Sequence, residues 1–134
     1  MQALVLIAHG SRRQASNPEV MDLASRLQQS AGDRYQLIEA GFLEIAEPSI
    51  PEAIEACIKS GATSIVVVPY FLAAGRHVVE DIPKIVEPVA ERHPQVTIRI
   101  SEHIGMSDSM TRLILDSAGS DTAPVVGADM EQAG

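Results

Sequence analysis

Apolar runs alternate with amphipathic segments along most of the chain. Four runs rich in aliphatic residues are the predicted strands: residues 3–8, 36–43, 63–69 and 95–100. The first run lacks polar alternation, which is typical of a strand buried on both faces of a parallel sheet. Four segments with apolar residues at helical spacing are the predicted helices: residues 18–30, 49–60, 78–93 and 107–117.

Helix-boundary signals refine this pattern. Asn17 precedes Pro18 and is expected to cap the first helix, because proline suits the first helical position. Ser49 and Glu52 have the spacing of a capping box at the start of the second helix. Residues 70–77, which include Gly75, are predicted to form a loop before the third helix.

The alternation predicts an α/β domain, a small parallel four-stranded sheet with helices on both faces. Residues 1–118 are expected to form this domain, since a chain of 134 residues can bury a single core. Residues 119–134 lose the pattern and are expected to form a disordered C-terminal tail. Four strands make a small layer, so a second copy of the domain is expected to supply the other wall of any deep cleft.

Three chemically active residues each lie just past a predicted strand. His9, Glu44 and His77 are separated by 35 and 33 positions, about one strand–helix unit each. In an open α/β sheet, the edge at the carboxyl ends of the strands is where ligands bind. Two imidazoles and a carboxylate at one edge can hold a divalent metal or move protons. Taken singly, each residue also fits an ordinary structural role at a loop or a helix start.

Charge and composition limit the partners. The formal net charge of −8 and the 3% aromatic content argue against a nucleic-acid surface. Arg12, Arg13 and Arg76 lie near the predicted ligand edge, so a negatively charged small ligand is compatible with the acidic chain.

No membrane or secretory segment is expected. The longest apolar run, residues 65–74, has ten residues and contains Pro69, whereas a membrane helix needs about 20. The N-terminal segment carries neither a basic leader nor a small-residue cleavage site. Cys57 is the single cysteine, so no internal disulfide can form, and the cytoplasm is the expected location.

The motifs around these residues resemble those of the class II chelatases of the sirohydrochlorin cobaltochelatase and ferrochelatase type. The resemblance covers about residues 3–118. It rests on three stretches: Ala8-His9-Gly10-Ser11-Arg12, then Phe42-Leu43-Glu44 with Glu47-Pro48-Ser49, then Pro69-Tyr70-Phe71-Leu72 with Gly75-Arg76-His77 and Asp81-Ile82-Pro83. The chain looks like the short form of the family, in which one domain pairs with itself as a homodimer.

This resemblance implies insertion of a divalent metal, Co²⁺, Fe²⁺ or Ni²⁺, into a carboxylate-rich tetrapyrrole such as sirohydrochlorin, on the cobalamin, siroheme or coenzyme F430 pathways. The metal would be a substrate, and no tightly bound cofactor is implied. His9 and His77 would be catalytic and, with Glu44, would bind the metal. The implied tetrapyrrole contacts are Ser11, Arg12, Arg13, Gly75 and Arg76.

Two other functions fit parts of the pattern. A non-catalytic carrier of metal or tetrapyrrole would use the same three residues only to hold its ligand. A histidine phosphotransfer enzyme would also present a His-Gly pair after the first strand, near arginines. Histidine phosphatases typically carry arginine immediately before that histidine, and here the position is Ala8, which lowers the weight of this alternative.

Overall fold

The structure is a computed structural model that describes residues 1–13, 16–120 and 125–127, with the side chain of His77 outside the described part. The strands are β1 (Gln2–Ala8), β2 (Leu37–Phe42), β3 (Ser64–Pro69) and β4 (Thr97–Ile100). The helices are α1 (Ser16–Ser30), α2 (Ile50–Lys59), α3 (Arg76–Arg92) and α4 (Ser109–Ala118), and a 3-10 turn at Ile104–Met106 precedes α4. The predicted order of strands and helices is confirmed.

The four strands form one parallel sheet with the order β2-β1-β3-β4. Ala8 pairs with Phe42 across β1 and β2, and Ile7 pairs with Pro69 across β1 and β3. These three strands therefore end at the same level, which we call the C-terminal edge of the sheet. Since β1 lies between β2 and β3, the loop after β1 is flanked by the loops after β2 and β3.

Helices cover both faces of the sheet, as the sequence predicts. On one face, Val5 and Val67 pack in a core with Ile54 of α2 and Val86 of α3. On the other face, α1 packs against β2 through a smaller cluster centred on Ala24, Ile38 and Ala40. Successive residues of a strand point to opposite faces of the sheet, so one strand can contribute side chains to both cores. The predicted fold class is confirmed.

Cys57 belongs to the larger core and is fully buried. Burial raises the pKa of its thiol to about 12, which makes the thiol a poor nucleophile. This agrees with a packing role for the residue.

Two helix starts differ from the sequence prediction. Helix α1 begins at Ser16, so Asn17 lies inside the helix, where its side chain binds the backbone of Ser11. Helix α3 begins at Arg76, because Gly75 in an extended conformation serves as its N-cap, and the predicted loop 70–77 is shorter by two residues. The capping box of Ser49 and Glu52 on α2 is confirmed by both of its hydrogen bonds.

Helix α4 is the least packed element. Its Leu113, Ile114 and Leu115 side chains are 56%, 60% and 66% exposed, and the helix buries no residue. Its main contacts within the described part of the chain are with the 3-10 turn. Most of the predicted tail 119–134 lies outside the described residues, so its disorder stays a prediction.

No helix in the described ranges is both long enough and apolar enough to cross a bilayer.

Candidate active site

His9 follows β1 directly and lies at the C-terminal edge of the sheet, where its side chain is exposed. Its ring lies against the ring of Phe71, with the centroids 4.5 Å apart and the planes tilted by 45°. Phe71 itself is 5% exposed, in the loop that follows β3. A buried aromatic ring therefore supports one side of an imidazole whose remainder faces solvent.

The loop after β2 is hydrogen-bonded to the loop that carries His9. The amide of Glu44 donates to the carbonyl of His9 at 3.0 Å, and the amide of Leu43 donates to that of Ala8 at 2.9 Å. Gly10 has a φ of +90°, and a Cβ at this position would lie 1.9 Å from the carbonyl oxygen of Glu44. Only glycine permits this approach, which keeps Glu44 beside His9.

Ser11 is half-buried and is held from α1. The Asn17 side chain accepts a hydrogen bond from the Ser11 amide at 2.9 Å and donates one to the Ser11 carbonyl at 2.7 Å. The Ser11 hydroxyl accepts from the Arg13 amide at 3.0 Å. Asn17 thus positions the loop after β1, a role the sequence interpretation missed because proline at the next position resembles a helix-cap signal.

The three predicted arginines are exposed. Arg12 and Arg13 make no ion pair within the described ranges, and their guanidinium groups are open to solvent. Arg76 is 91% exposed and lies 3.1 Å from Glu80 on the same helix, an arrangement that contributes little to stability. Gly75 has open space around it, since a Cβ there would meet no atom within 4 Å.

His77 lies in the first turn of α3, not in a loop as the sequence predicts. Its side chain lies outside the described part. Among the side chains that the structure describes, no group of three His, Cys, Asp or Glu residues is placed to hold a metal ion. The structure brings the backbones of His9 and Glu44 together, and the inclusion of His77 in a shared metal site stays a prediction.

A cavity of about 410 Å³ adjoins the site behind Phe71. It lies between the ends of β3 and β4 and the start of α3, and its lining is mostly apolar, including Phe71, Ile82 and Met106. His103, half-buried before the 3-10 turn, also lines it. The volume is at the lower end for a ligand pocket.

Large apolar side chains are also exposed at this edge. Ile45 is 58% exposed in the loop after β2, and Tyr70 and Leu72 are 39% and 68% exposed in the loop after β3. We call these three residues the apolar rim. They flank the loop that carries His9, because β1 lies between β2 and β3.

The sequence is similar to those of proteins named as sirohydrochlorin cobaltochelatases. It is 45% identical to the sirohydrochlorin cobaltochelatase of Methanococcus maripaludis over 85 residues, which are 63% of this chain and 58% of that protein. It is 35% identical to the sirohydrochlorin cobaltochelatase of Sulfolobus acidocaldarius, over 88% of this chain and 90% of that protein. Relatives therefore include both longer proteins and one of similar length.

Solved structures of SirB are also similar to this chain. The sirohydrochlorin chelatase SirB from Bacillus subtilis subspecies spizizenii in complex with cobalt has a TM-score of 0.77 and 31% identity, over 87% of this chain and 49% of that one. SirB from Bacillus subtilis with Fe³⁺ has a TM-score of 0.75 and 33% identity, over 89% and 48%. The chain thus spans about half of each SirB chain.

The match to the CbiX family extends over residues 3–120 and includes every element from β1 to α4 except the first residue of β1. It covers all the motifs on which the resemblance to the short class II chelatases rests, and that resemblance is confirmed. The chain belongs to the CbiX family.

Proposed function

We propose that the protein inserts a divalent metal, Co²⁺, Fe²⁺ or Ni²⁺, into a carboxylate-rich tetrapyrrole such as sirohydrochlorin. The observation that carries this proposal is the exposed imidazole of His9, which packs against Phe71 at the C-terminal edge of the sheet, on a loop whose backbone is hydrogen-bonded to that of Glu44. The names of the relatives and the metals in the SirB structures support the same chemistry.

The side chains at the edge suit the steps of metal insertion. Two pyrrole N–H protons must leave as the metal enters, and imidazole exchanges protons near neutral pH. His9 and His77 accept these protons or ligate the incoming ion, and Glu44 adds an oxygen ligand or relays protons. Nitrogen and oxygen donors suit Co²⁺, Fe²⁺ and Ni²⁺ without selecting among them. Three protein ligands leave coordination positions open, so the ion can be passed on.

Positive charge at the edge suits the carboxylates of the macrocycle. Arg12 and Arg13 are exposed, and guanidinium groups bind carboxylates through paired hydrogen bonds. The exposed pair of Arg76 with Glu80 is weak, so Arg76 can exchange this partner for a substrate carboxylate. Ser11 and the open space at Gly75 complete the proposed contact surface.

A second copy of the chain supplies the other wall of the cleft in this proposal. The chain spans about half of each SirB chain but 90% of the Sulfolobus acidocaldarius relative. Helix α4 also needs a partner, because an isolated ten-residue helix is marginal in water and its Leu113, Ile114 and Leu115 are exposed. Packing of α4 on the second copy would cover them.

The roles of the histidines are tested by replacing each with alanine. Anaerobic insertion of Co²⁺ into sirohydrochlorin is followed by absorbance for H9A and H77A. We expect each variant to lose about 100-fold or more in rate, the range of general acid–base catalysis, with an unchanged circular dichroism spectrum. H93A is the matched control, because His93 lies at the far end of α3 and pairs with Glu55. Wild-type rates in H9A and H77A would contradict the proposal.

The same assay separates a chelatase from a carrier. A carrier would bind metal or tetrapyrrole without accelerating insertion above the spontaneous rate.

The cytoplasmic location stays a prediction, based on the single, buried thiol of Cys57.

A further inference from the structure

Ile45 has a backbone conformation that its side chain disfavours. Its φ is +69°, and it is the only non-glycine residue with positive φ in the described ranges. The amide of Ala46 donates to the carbonyl of Glu44 at 2.7 Å, two residues back, so Ile45 is the central residue of a γ-turn. With positive φ this turn is the rare, strained form. For a β-branched residue, positive φ is a genuine outlier.

The surrounding loop holds this conformation in place. The Glu44 carbonyl that accepts the turn's hydrogen bond lies against Gly10, at the close approach that excludes a Cβ. The amide of Phe42 donates to the carbonyl of Pro48 at 2.8 Å and closes the base of the loop. Glycine would fit the turn without strain, so the backbone gives no reason for isoleucine.

Packing within the chain gives no strong reason either. The Ile45 side chain is 58% exposed and is not part of either apolar core of the described residues. A strained residue that persists without folding benefit points to a function outside the fold. Because isoleucine is present at a cost in strain that glycine would avoid, we expect the function to depend on its apolar side chain.

The position of Ile45 indicates which function. It follows Glu44 directly, and the strand order places it on one side of the His9 loop, with Leu72 on the other side. Leu72 is 68% exposed at the corresponding level after β3. Apolar groups on both sides of a central imidazole match a flat macrocycle, whose proton-bearing nitrogens lie at its centre and whose ring carbons surround them.

We infer that Ile45, together with Leu72, is a substrate-contact residue that packs against the apolar face of the tetrapyrrole and centres its nitrogens over His9. This inference rests on the proposed chelatase function. It assigns recognition of the ring to these two residues of the apolar rim and recognition of the carboxylates to the arginines.

The test is I45G, which relieves the strain while removing the apolar contact. We expect the variant to unfold at the same or a higher temperature than the wild type. Loss of a large aliphatic contact should raise KM for sirohydrochlorin about tenfold. Fluorescence titration with metal-free sirohydrochlorin should show the same loss, while the affinity for Co²⁺ alone should stay unchanged. L72A should weaken tetrapyrrole binding in the same way.

The control is I45V, which keeps an apolar, β-branched side chain and should retain binding within about twofold. A wild-type protein that does not accelerate insertion would contradict the proposed function, and this inference with it. An active wild type whose I45G variant binds sirohydrochlorin normally would contradict this inference alone. So would an I45G variant whose only defect is a weaker dimer, since Ile45 would then be an interface residue.

Discussion

Phe71 supports His9 across 62 positions of sequence, through a ring contact at 4.5 Å. Because a mobile imidazole spends less time in a productive orientation, we expect F71L to lower kcat for metal insertion by about three- to tenfold, the free-energy range of an aromatic contact. KM should change little, and F71Y should restore the rate.

F42L is the matched control for this prediction. Phe42 is 1% exposed at the end of β2 and is the other phenylalanine of the chain. Both substitutions leave a cavity that lowers the free energy of unfolding, but only Phe71 has a ring contact with His9. Equal losses of kcat in the two variants would show that Phe71 acts only through stability.

Gly10 should tolerate no larger residue. In G10A the new Cβ would meet the Glu44 carbonyl, and alanine would also have to adopt positive φ. We expect a loss of about 1–3 kcal/mol in the free energy of unfolding in urea, with the loops after β1 and β2 displaced from each other. G75A, where the added Cβ meets no atom within 4 Å, should cost less than G10A. Equal stability of G10A and the wild type would be inconsistent with this geometry.

The sequence predicts some of the site residues but not the contacts that position them. His9 and Glu44 are predicted at strand ends because the end of an apolar run is a local feature. The contact of Phe71 with His9 depends on strand register. The hydrogen bonds between Asn17 and the backbone of Ser11 depend on how α1 docks on the sheet. A single sequence contains no local signal for either contact, which is why these positioning residues are found only in the structure.

At the scale of elements, α2 and α3 are joined by a charged cluster away from the site. Arg92 donates to Glu55 at 3.0 Å, and the His93 ring lies 2.9 Å from the same carboxylate. The hydrogen bond from Arg92 is the main cause of a lowered Glu55 pKa, with smaller contributions from His93, against a partial desolvation that raises it.

A lowered carboxyl pKa makes stability depend on pH. The unfolded chain binds a proton at Glu55 more readily than the folded one, so this stabilisation is present above the ordinary value of 4.5 and is lost as the pH falls below it. The cluster is partly exposed, so its contribution is about 0.2–1 kcal/mol. We expect E55Q to reduce the free energy of urea unfolding at pH 7 but much less at pH 3. The exposed E91Q is the control, and an equal effect of E55Q at both pH values would be evidence against the cluster.

Element boundaries show what the sequence predicts at this scale and what it does not. The order of strands and helices follows from hydrophobic periodicity, and the Ser49 capping box follows from spacing. The start of α3 at Arg76 does not, because a glycine N-cap has no side chain to signal it. The pattern predicts the amphipathic α4 but does not indicate what covers its apolar face.

In the whole molecule, the proposed cleft requires two copies of the chain. Sedimentation at micromolar concentration should give about twice the chain mass of 14.3 kDa. We expect L115D on α4 to yield monomers and to lose at least tenfold in insertion rate, because a charge at the interface is costly to bury. M21D is the control, since Met21 is an exposed apolar residue that lies on α1 and not on α4. A fully active monomer would refute the shared cleft.

The proposed chelatase activity is tested most simply by an anaerobic time course of sirohydrochlorin absorbance with Co²⁺, Fe²⁺ and Ni²⁺ presented separately, with and without the wild-type protein. The proposed function predicts that the protein accelerates insertion of at least one of these metals well above the spontaneous rate, through many turnovers per chain. Insertion at the spontaneous rate for all three metals, with metal or tetrapyrrole bound stoichiometrically, would identify a carrier and contradict the proposed activity.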